Sequence, residues 1–225
     1  WRRKRVFDLA VAGLCVVRTL PLLLLIALIV ALDVGLPTMF WQERPGTRGR
    51  PFRLYKFRTM RAAHDHFGMR LADEARVSAI GRFLRRTRLD ELPQVYIILW
   101  GEMSLVGPRP LLSKDHASGY GARLLVRPGL TGWAQVNGGR EISGADKAAL
   151  DVWYLRNATL WLDLTILMRT AAMMVTGDRT RRETVRAAWA DLAGSNLIES
   201  GHATAATLAA RHTPPDGPGG LPHAA

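Results

Sequence analysis

A chain of 225 residues is long enough for one well-buried domain with a smaller attached element, while two full domains would be a tight fit. Its 31 Lys and Arg against 19 Asp and Glu leave a formal charge of +12, which points to anionic partners: nucleic acid, phosphorylated small molecules or acidic lipid. A single cysteine, Cys15, excludes an internal disulfide framework; inside an apolar run it reads as a packing residue in a reducing compartment and supplies no metal site.

The chain opens at Trp1 rather than Met, which is expected of a segment taken from a longer product. From Leu9 to Leu32 it is apolar except for Arg18 and Thr19, long enough for the about 20 residues that cross a bilayer. A secretory signal would have a shorter apolar core and a small-residue cleavage site, and neither is evident. Simple spanning would place Arg2, Arg3, Lys4 and Arg5 on one side and Arg44, Arg48, Arg50, Arg53 and Lys56 on the other, against the preference of basic residues for the cytoplasmic face. A helix that breaks at Pro21, dips into one leaflet and returns removes the conflict, because both flanks then meet one anionic surface. Arg18 would lie near the deepest point of such a hairpin and would need a partner or a path to the interface. An ordinary buried or spanning helix is the competing reading.

Two short strands are predicted next, Thr38 to Gln42 and Phe52 to Phe57, around a Gly-containing turn. Seven basic residues and no acid fall between Arg44 and Arg61. Residues 62–76 read as a loop or short helix, with His64 and His66 flanking Asp65 in a solvated stretch. A helix over Ile80 to Leu84, a break near Thr87 and a second helix from Glu91 to Trp100, ended by Gly101, follow. LLVRPGLTGWAQVNGGR is punctuated by Pro128, Gly129, Gly132 and Gly138 and reads as turns whose backbone N–H groups are free to meet phosphate. Asp146 to Thr176 is helical, with broad apolar faces that suit either the core or a membrane interface. A charged helix around RRETVRAAWADLA comes after Gly177, and residues 201–225 are expected to be disordered. Internal repeats, a P-loop, paired CxxC motifs and a serine-nucleophile elbow are all missing.

Within RTRLDELPQ the adjacent acids Asp90 and Glu91 stand among arginines. Their bland reading is a helix start, with Asp90 as N-cap, Glu91 at the dipole and Pro93 in the first turn. The same position also suits chemistry. An ionised Asp is a nucleophile toward phosphorus, and repulsion from an anionic substrate would be offset by a divalent cation and by Lys56, Arg58, Arg85 and Arg109.

Taken in order, KRVFDLA, the proline-containing apolar helix, FWQERPGTRGRPFRLYKFRTM, RRTRLDELPQ, GEMSLVGPRPLL, RPGLTGWAQVNGGR and DVWYLRNATLWLDLTIL resemble the bacterial sugar transferases, monotopic phosphoglycosyl transferases, over roughly residues 2–177. The resemblance implies an α+β fold: a small sheet with surrounding helices, interfacial amphipathic helices and an N-terminal re-entrant membrane helix. It covers that helix (1–36) and a catalytic domain (37–177); composition adds an extra helical segment (178–200) and the tail (201–225), which has no counterpart in the family pattern. It implies that Asp90 attacks the β-phosphate of a UDP-sugar, releases UMP and passes the hexose 1-phosphate to polyprenyl (undecaprenyl) phosphate. This would be the first membrane step of polysaccharide or glycoconjugate biosynthesis, at the cytoplasmic face of the bacterial inner membrane. Mg²⁺ would sit at Asp90 with Glu91 in support, and Lys56, Arg58, Arg85, Arg109, Pro110, Arg127 and Gln135 would contact substrate. Its partners would be the UDP-sugar, polyprenyl phosphate and membrane lipids, with no nucleic acid, and glucose or galactose is the implied sugar. One departure is Leu20 before Pro21, where the family usually has Ser-Pro; Thr19 is expected to supply the hydroxyl instead. Two rivals remain at this level: a non-catalytic basic membrane adaptor in which the acids only cap a helix, and a membrane-tethered nucleic-acid binder, which charge alone favours.

Overall fold

A computed structural model describes residues 2–63, 67–111, 121–138, 142–176 and 180–193. The expected loop at His64, Asp65 and His66 and the expected disorder of 201–225 lie outside them.

Helix α1 (Arg2–Asp33) has no acid in its first turn, where four basic residues oppose the helix dipole. Contacts with the rest of the fold compensate. Lys4 Nζ meets Asp163 Oδ2 at 2.6 Å, Arg5 donates to the carbonyls of Ile98 and Leu99 at 2.7 and 3.2 Å, and Asp8 accepts from Ser104 Oγ at 2.7 Å. The expected break at Pro21 is corrected: the helix continues through it. Proline removes only one hydrogen bond, and the leucine-rich turns around it favour helix strongly. Thr19 Oγ1, expected to bond a freed carbonyl, has no partner. Cys15 packs half-buried against the core.

Strands β1 (Met39–Pro45) and β2 (Pro51–Phe57) form an antiparallel hairpin that pairs Met39 with Phe57 and Pro45 with Pro51. β1 runs past the expected Gln42 because Glu43 and Arg44 still find partners in Arg53 and Phe52. Phe52, Leu54 and Phe57 turn inward. After the one-turn helix α2 (Asp73–Arg76), α3 (Ala79–Thr87) is capped by Ser78, whose Oγ accepts from Gly81 N at 2.8 Å. Gly81 is required here, since a Cβ would stand 2.3 Å from the Thr59 carbonyl. This close approach seats α3 on the end of β2.

α3 stops at Arg88 in the left-handed conformation (φ 60), a tight 3₁₀ turn covers Leu89–Glu91, and α4 (Gln94–Trp100) follows. Gly101 (φ 96) ends α4, as its freedom at positive φ favours. The capping reading of Asp90 is corrected: Pro93 occupies the N-cap position of α4, and Asp90 lies one turn earlier.

The expectation of turns alone across residues 124–140 is also corrected. β3 (Ser104–Val106) pairs in parallel with β4 (Gly129–Thr131), and α5 (Trp133–Gly138) comes next. Elements of three and six residues carry too little periodicity to be read against their glycines. Gly129 permits the pairing, because a Cβ there would sit 2.1 Å from Gly107 N.

Helices α6 (Gly144–Asn157), α7 (Leu160–Thr176) and α8 (Arg182–Ala193) complete the described fold, with α8 resting on α5 and α6 through Val185, Ala188 and Leu192. The architecture is α+β: two two-stranded sheets surrounded by helices, with one long apolar helix at the N-terminus. A large apolar surface stays uncovered on α1 (Val17, Leu24, Leu28), α3 (Ile80, Phe83) and α7 (Trp161, Leu164, Met168).

A candidate active site at the Asp90–Glu91 turn

The 3₁₀ turn places two adjacent carboxylates in unlike surroundings. Both residues are at most 9% exposed. The Glu91 carboxylate is saturated with cations: Oε1 accepts from Lys56 Nζ at 2.7 Å and Arg109 Nη2 at 2.8 Å, and Arg88 Nη1 lies 3.8 Å from Oε2. Burial alone would raise its pKa, but Arg109 and Lys56 outweigh that and hold it at about 2. Asp90 Oδ1 is buried without a hydrogen-bond partner. Burial first, then the Glu91 charge, push its pKa above the usual carboxylate range, against the pull of Lys56 and Arg85. An unpaired buried carboxylate oxygen is costly in a finished structure. Asp90 lines a cleft of about 880 Å³.

Local structure explains how the cleft is built. β2 carries Lys56 to the turn, α3 presents Arg85, whose Nε donates to Thr59 Oγ1 at 2.8 Å, and the chain leaving β3 brings Arg109. Pro110 is buried directly behind Arg109. Gln135 on α5 lines the same cleft, and both polar atoms of its side chain are buried without partners. Deeper in the wall, Arg123 and Asp151 form a buried pair at 2.8 Å. Burial lifts the Asp151 carboxyl to about 6 despite the arginine beside it.

The predicted residues Asp90, Glu91, Lys56, Arg85, Arg109 and Gln135 therefore converge on one cleft. Arg58 lines it too, but its guanidinium donates to the backbone carbonyls of Val34, Pro37 and Met60, fastening the segment after α1 to β2. Arg127 stands apart, with Nε on the Gly101 carbonyl at 2.6 Å. Pro21 is remote in sequence and lies in the apolar helix. Sequence reasoning missed Gln42, Arg88, Arg123, Lys147 and Asp151, all of which line the cleft. Three of these lie within motifs already quoted, Gln42 in FWQERPG, Arg88 in RRTRLDELPQ and Asp151 in DVWYLRN, while Arg123 and Lys147 lie outside them.

Mg²⁺ fits this arrangement. Asp90 lines the cleft and its buried Oδ1 has no hydrogen-bond partner, whereas Glu91 is already neutralised by its cations. Among the described residues no group of three or more His, Cys, Asp and Glu could cage an ion. A single carboxylate suits a cation that takes its remaining ligands from water and substrate phosphates.

Residues 1–177 match the family described as bacterial sugar transferase. An uncharacterized sugar transferase, EpsL of Bacillus subtilis (strain 168), is 45% identical over 179 residues, covering 78% of this chain and 88% of that protein. The UDP-glucose:undecaprenyl-phosphate glucose-1-phosphate transferase of Caulobacter vibrioides is 41% identical over 191 residues, 78% of this chain and 71% of the relative. The undecaprenyl-phosphate glucose phosphotransferase of Komagataeibacter xylinus is 41% identical over 184 residues; the match covers 74% of this chain but only 35% of that longer protein.

Proposed function

The chain belongs to the bacterial sugar transferase family, and from that membership and the geometry of the cleft we propose that it moves a hexose 1-phosphate from a UDP-sugar to undecaprenyl phosphate, releasing UMP. The observation that carries this reading is the pairing, in a basic cleft, of one carboxylate neutralised by cations with a neighbour whose buried Oδ1 has no hydrogen-bond partner.

Asp90 is the nucleophile. Its carboxylate oxygen attacks the β-phosphorus, the bond from that phosphorus to the oxygen bridging the two phosphates breaks, and UMP leaves with the electron pair. An acyl-phosphate ester between Asp90 and the sugar phosphate results. A phosphate oxygen of undecaprenyl phosphate then attacks the same phosphorus, and the Asp90 carboxylate departs unchanged. Two in-line displacements replace one, each through a transition state whose charge is spread over phosphoryl oxygens.

Glu91 acts through its partners. It holds Lys56 and Arg109 at the rim of the cleft, where the cations can meet the phosphates while staying fixed on a carboxylate. Arg85, fixed by Thr59, adds a further cation. Mg²⁺, held by Asp90 together with substrate phosphates, would neutralise phosphate charge and favour the ionised carboxylate. Gln135 offers an amide to either phosphate or sugar.

A position on one side of the membrane is supported by the two ends of α1, and the cytoplasmic side of the inner membrane by the basic residues that flank it. The first turn is tied to Asp163 and the end of α4, and the last residue, Asp33, to Ser78 and Arg61. Ends fastened to one body cannot lie on opposite sides of a bilayer. On this reading the apolar middle of α1 dips into a single leaflet as one continuous helix, and the hydrogen bond missing at Pro21 lets it curve there. This sets the cleft near the headgroup plane, where a lipid phosphate and a soluble nucleotide sugar meet. The reaction would open exopolysaccharide assembly.

UMP release with a panel of UDP-sugars, with Mg²⁺ and undecaprenyl phosphate, tests class and donor together. Asp90→Asn is expected to lower turnover by at least about 10³-fold and to abolish the protein-bound phosphosugar seen as a mass gain. Turnover unaffected by this change would return Asp90 to a structural role and favour the adaptor reading.

A further inference from the structure

A second cleft, of about 930 Å³, lies beside the first, and the two share Arg85, Arg88, Glu91, Arg109 and Gln135 along their seam. Beyond the seam their walls differ in kind. The first is charged, with Lys56, Arg123, Lys147 and Asp151. The second has an apolar wall formed by Leu92 before α4, Val95 of α4, Leu130 of β4 and Leu167, Met173 and Met174 of α7. Arg82 and Arg86 of α3 line it too, with one acid, Glu74, besides Glu91. Asp90 lines only the first.

We propose that this second cleft seats the acceptor, with its phosphate at the arginine seam and its apolar chain along α7; the assignment rests on the transferase reading above. A long apolar chain capped by one phosphate is the ligand that matches both walls at once: hydrocarbon against Leu167 and Met173, anion against Arg85 and Arg88. Apolar surface is also present outside the cleft, where α7 exposes Met168 and Met174 and α3 exposes Ile80 and Phe83.

Stereochemistry explains why the clefts must share their basic residues. In each in-line displacement the entering and leaving groups lie on opposite sides of phosphorus. Asp90 enters in the first step and leaves in the second, so the UMP phosphate and the acceptor phosphate occupy the same opposite position in turn. The groups that steady the departing phosphate are then those that steady the arriving one. Gln135, whose buried side-chain oxygen and nitrogen lack partners, stands at this shared point.

Two variants of the second cleft test the assignment: Ala171→Trp, which fills it from an exposed position on α7, and Met174→Glu, which charges its apolar wall. Without acceptor, both are expected to release one equivalent of UMP and gain the phosphosugar mass at rates within about twofold of the parent. Transfer to undecaprenyl phosphate should fall at least about tenfold, with a raised KM for the acceptor. A short, water-soluble isoprenyl phosphate, which needs less of the wall, should lose less. Direct binding of undecaprenyl phosphate in detergent micelles should weaken in parallel in both variants. Unchanged acceptor KM and binding, equal loss of both half-reactions, or displacement of undecaprenyl phosphate by equimolar phosphatidylglycerol would overturn the assignment. A parent protein that forms no adduct and releases no UMP would instead sink the transferase reading, and the binding measurement would still decide what the cleft holds.

Discussion

Asp90 and Glu91 differ by one position and share one turn, yet their surroundings push them in opposite directions. Glu91 is held at about 2, against an ordinary 4.5, by Arg109 and Lys56. A carboxylate depressed in the native state contributes stability that is fully present above its unfolded value and disappears as pH falls from about 4.5 toward 2. Asp90 has the reverse linkage: its raised value favours the protonated native form, so its contribution declines as pH rises. Glu91→Gln is expected to remove the acid-side dependence and to cost on the order of 3 kcal/mol near neutral pH, partly offset by relief of Asp90. Denaturant unfolding of parent and variant between pH 3 and 7 measures it, and curves that remain parallel over this range would contradict it. The same variant deletes the charge that raises Asp90, so the acid limb of the pH–rate profile should move to lower pH even as turnover falls. A purely structural Glu91 would lower the rate without moving the limb.

At the scale of elements, α5 depends on α8, a helix outside the 177 residues that match the family. Trp133 of α5 stacks on Trp153 of α6 with ring centroids 5.0 Å apart, and the Arg169 guanidinium covers Trp133, also at 5.0 Å. Arg181 N then donates to the Asn137 carbonyl at 2.7 Å, and Trp189 Nε1 donates to Asp146 Oδ1 at 2.8 Å. Val185, Ala188 and Leu192 bury their side chains in the same seam. Gln135 is therefore positioned partly by residues that follow the matched region. Ending the chain at Gly177 is expected to expose this apolar face and cost on the order of 3–6 kcal/mol, lowering the melting temperature and turnover together. A truncated chain with unchanged melting and kinetics would show that α5 holds its place unaided.

For the whole molecule, the decisive feature is that both ends of one 32-residue apolar helix are fastened to the same α+β body. Cysteines introduced at Arg3 and Leu36, both exposed, should react with a membrane-impermeant thiol reagent from the cytoplasmic side in inverted vesicles and remain protected in right-side-out ones. Labelling from opposite sides would mean that α1 spans. The exposed Trp161, Leu164 and Met168 of α7 belong to the same picture, giving the body an apolar surface in addition to that of its long apolar helix.

Much of this was legible in the sequence because it is local. The apolar run of α1, the hairpin around residues 46–50, the Gly101 stop and the adjacency of Asp90 and Glu91 are properties of short windows, where periodicity, turn chemistry and charge act over a few residues. Tertiary packing decided the rest. It distinguished Asp90 from Glu91, because which carboxylate is neutralised depends on Lys56 and Arg109, 35 and 18 positions from Glu91. It turned Arg127 toward Gly101 and committed Arg58 to backbone carbonyls, although both looked equally suited to phosphate. It also brought Arg123 to Asp151 and set a charged cleft against an apolar one. A side chain's residue type fixes its charge and reach, but the direction in which it points, and what it meets there, is set by elements distant in the chain.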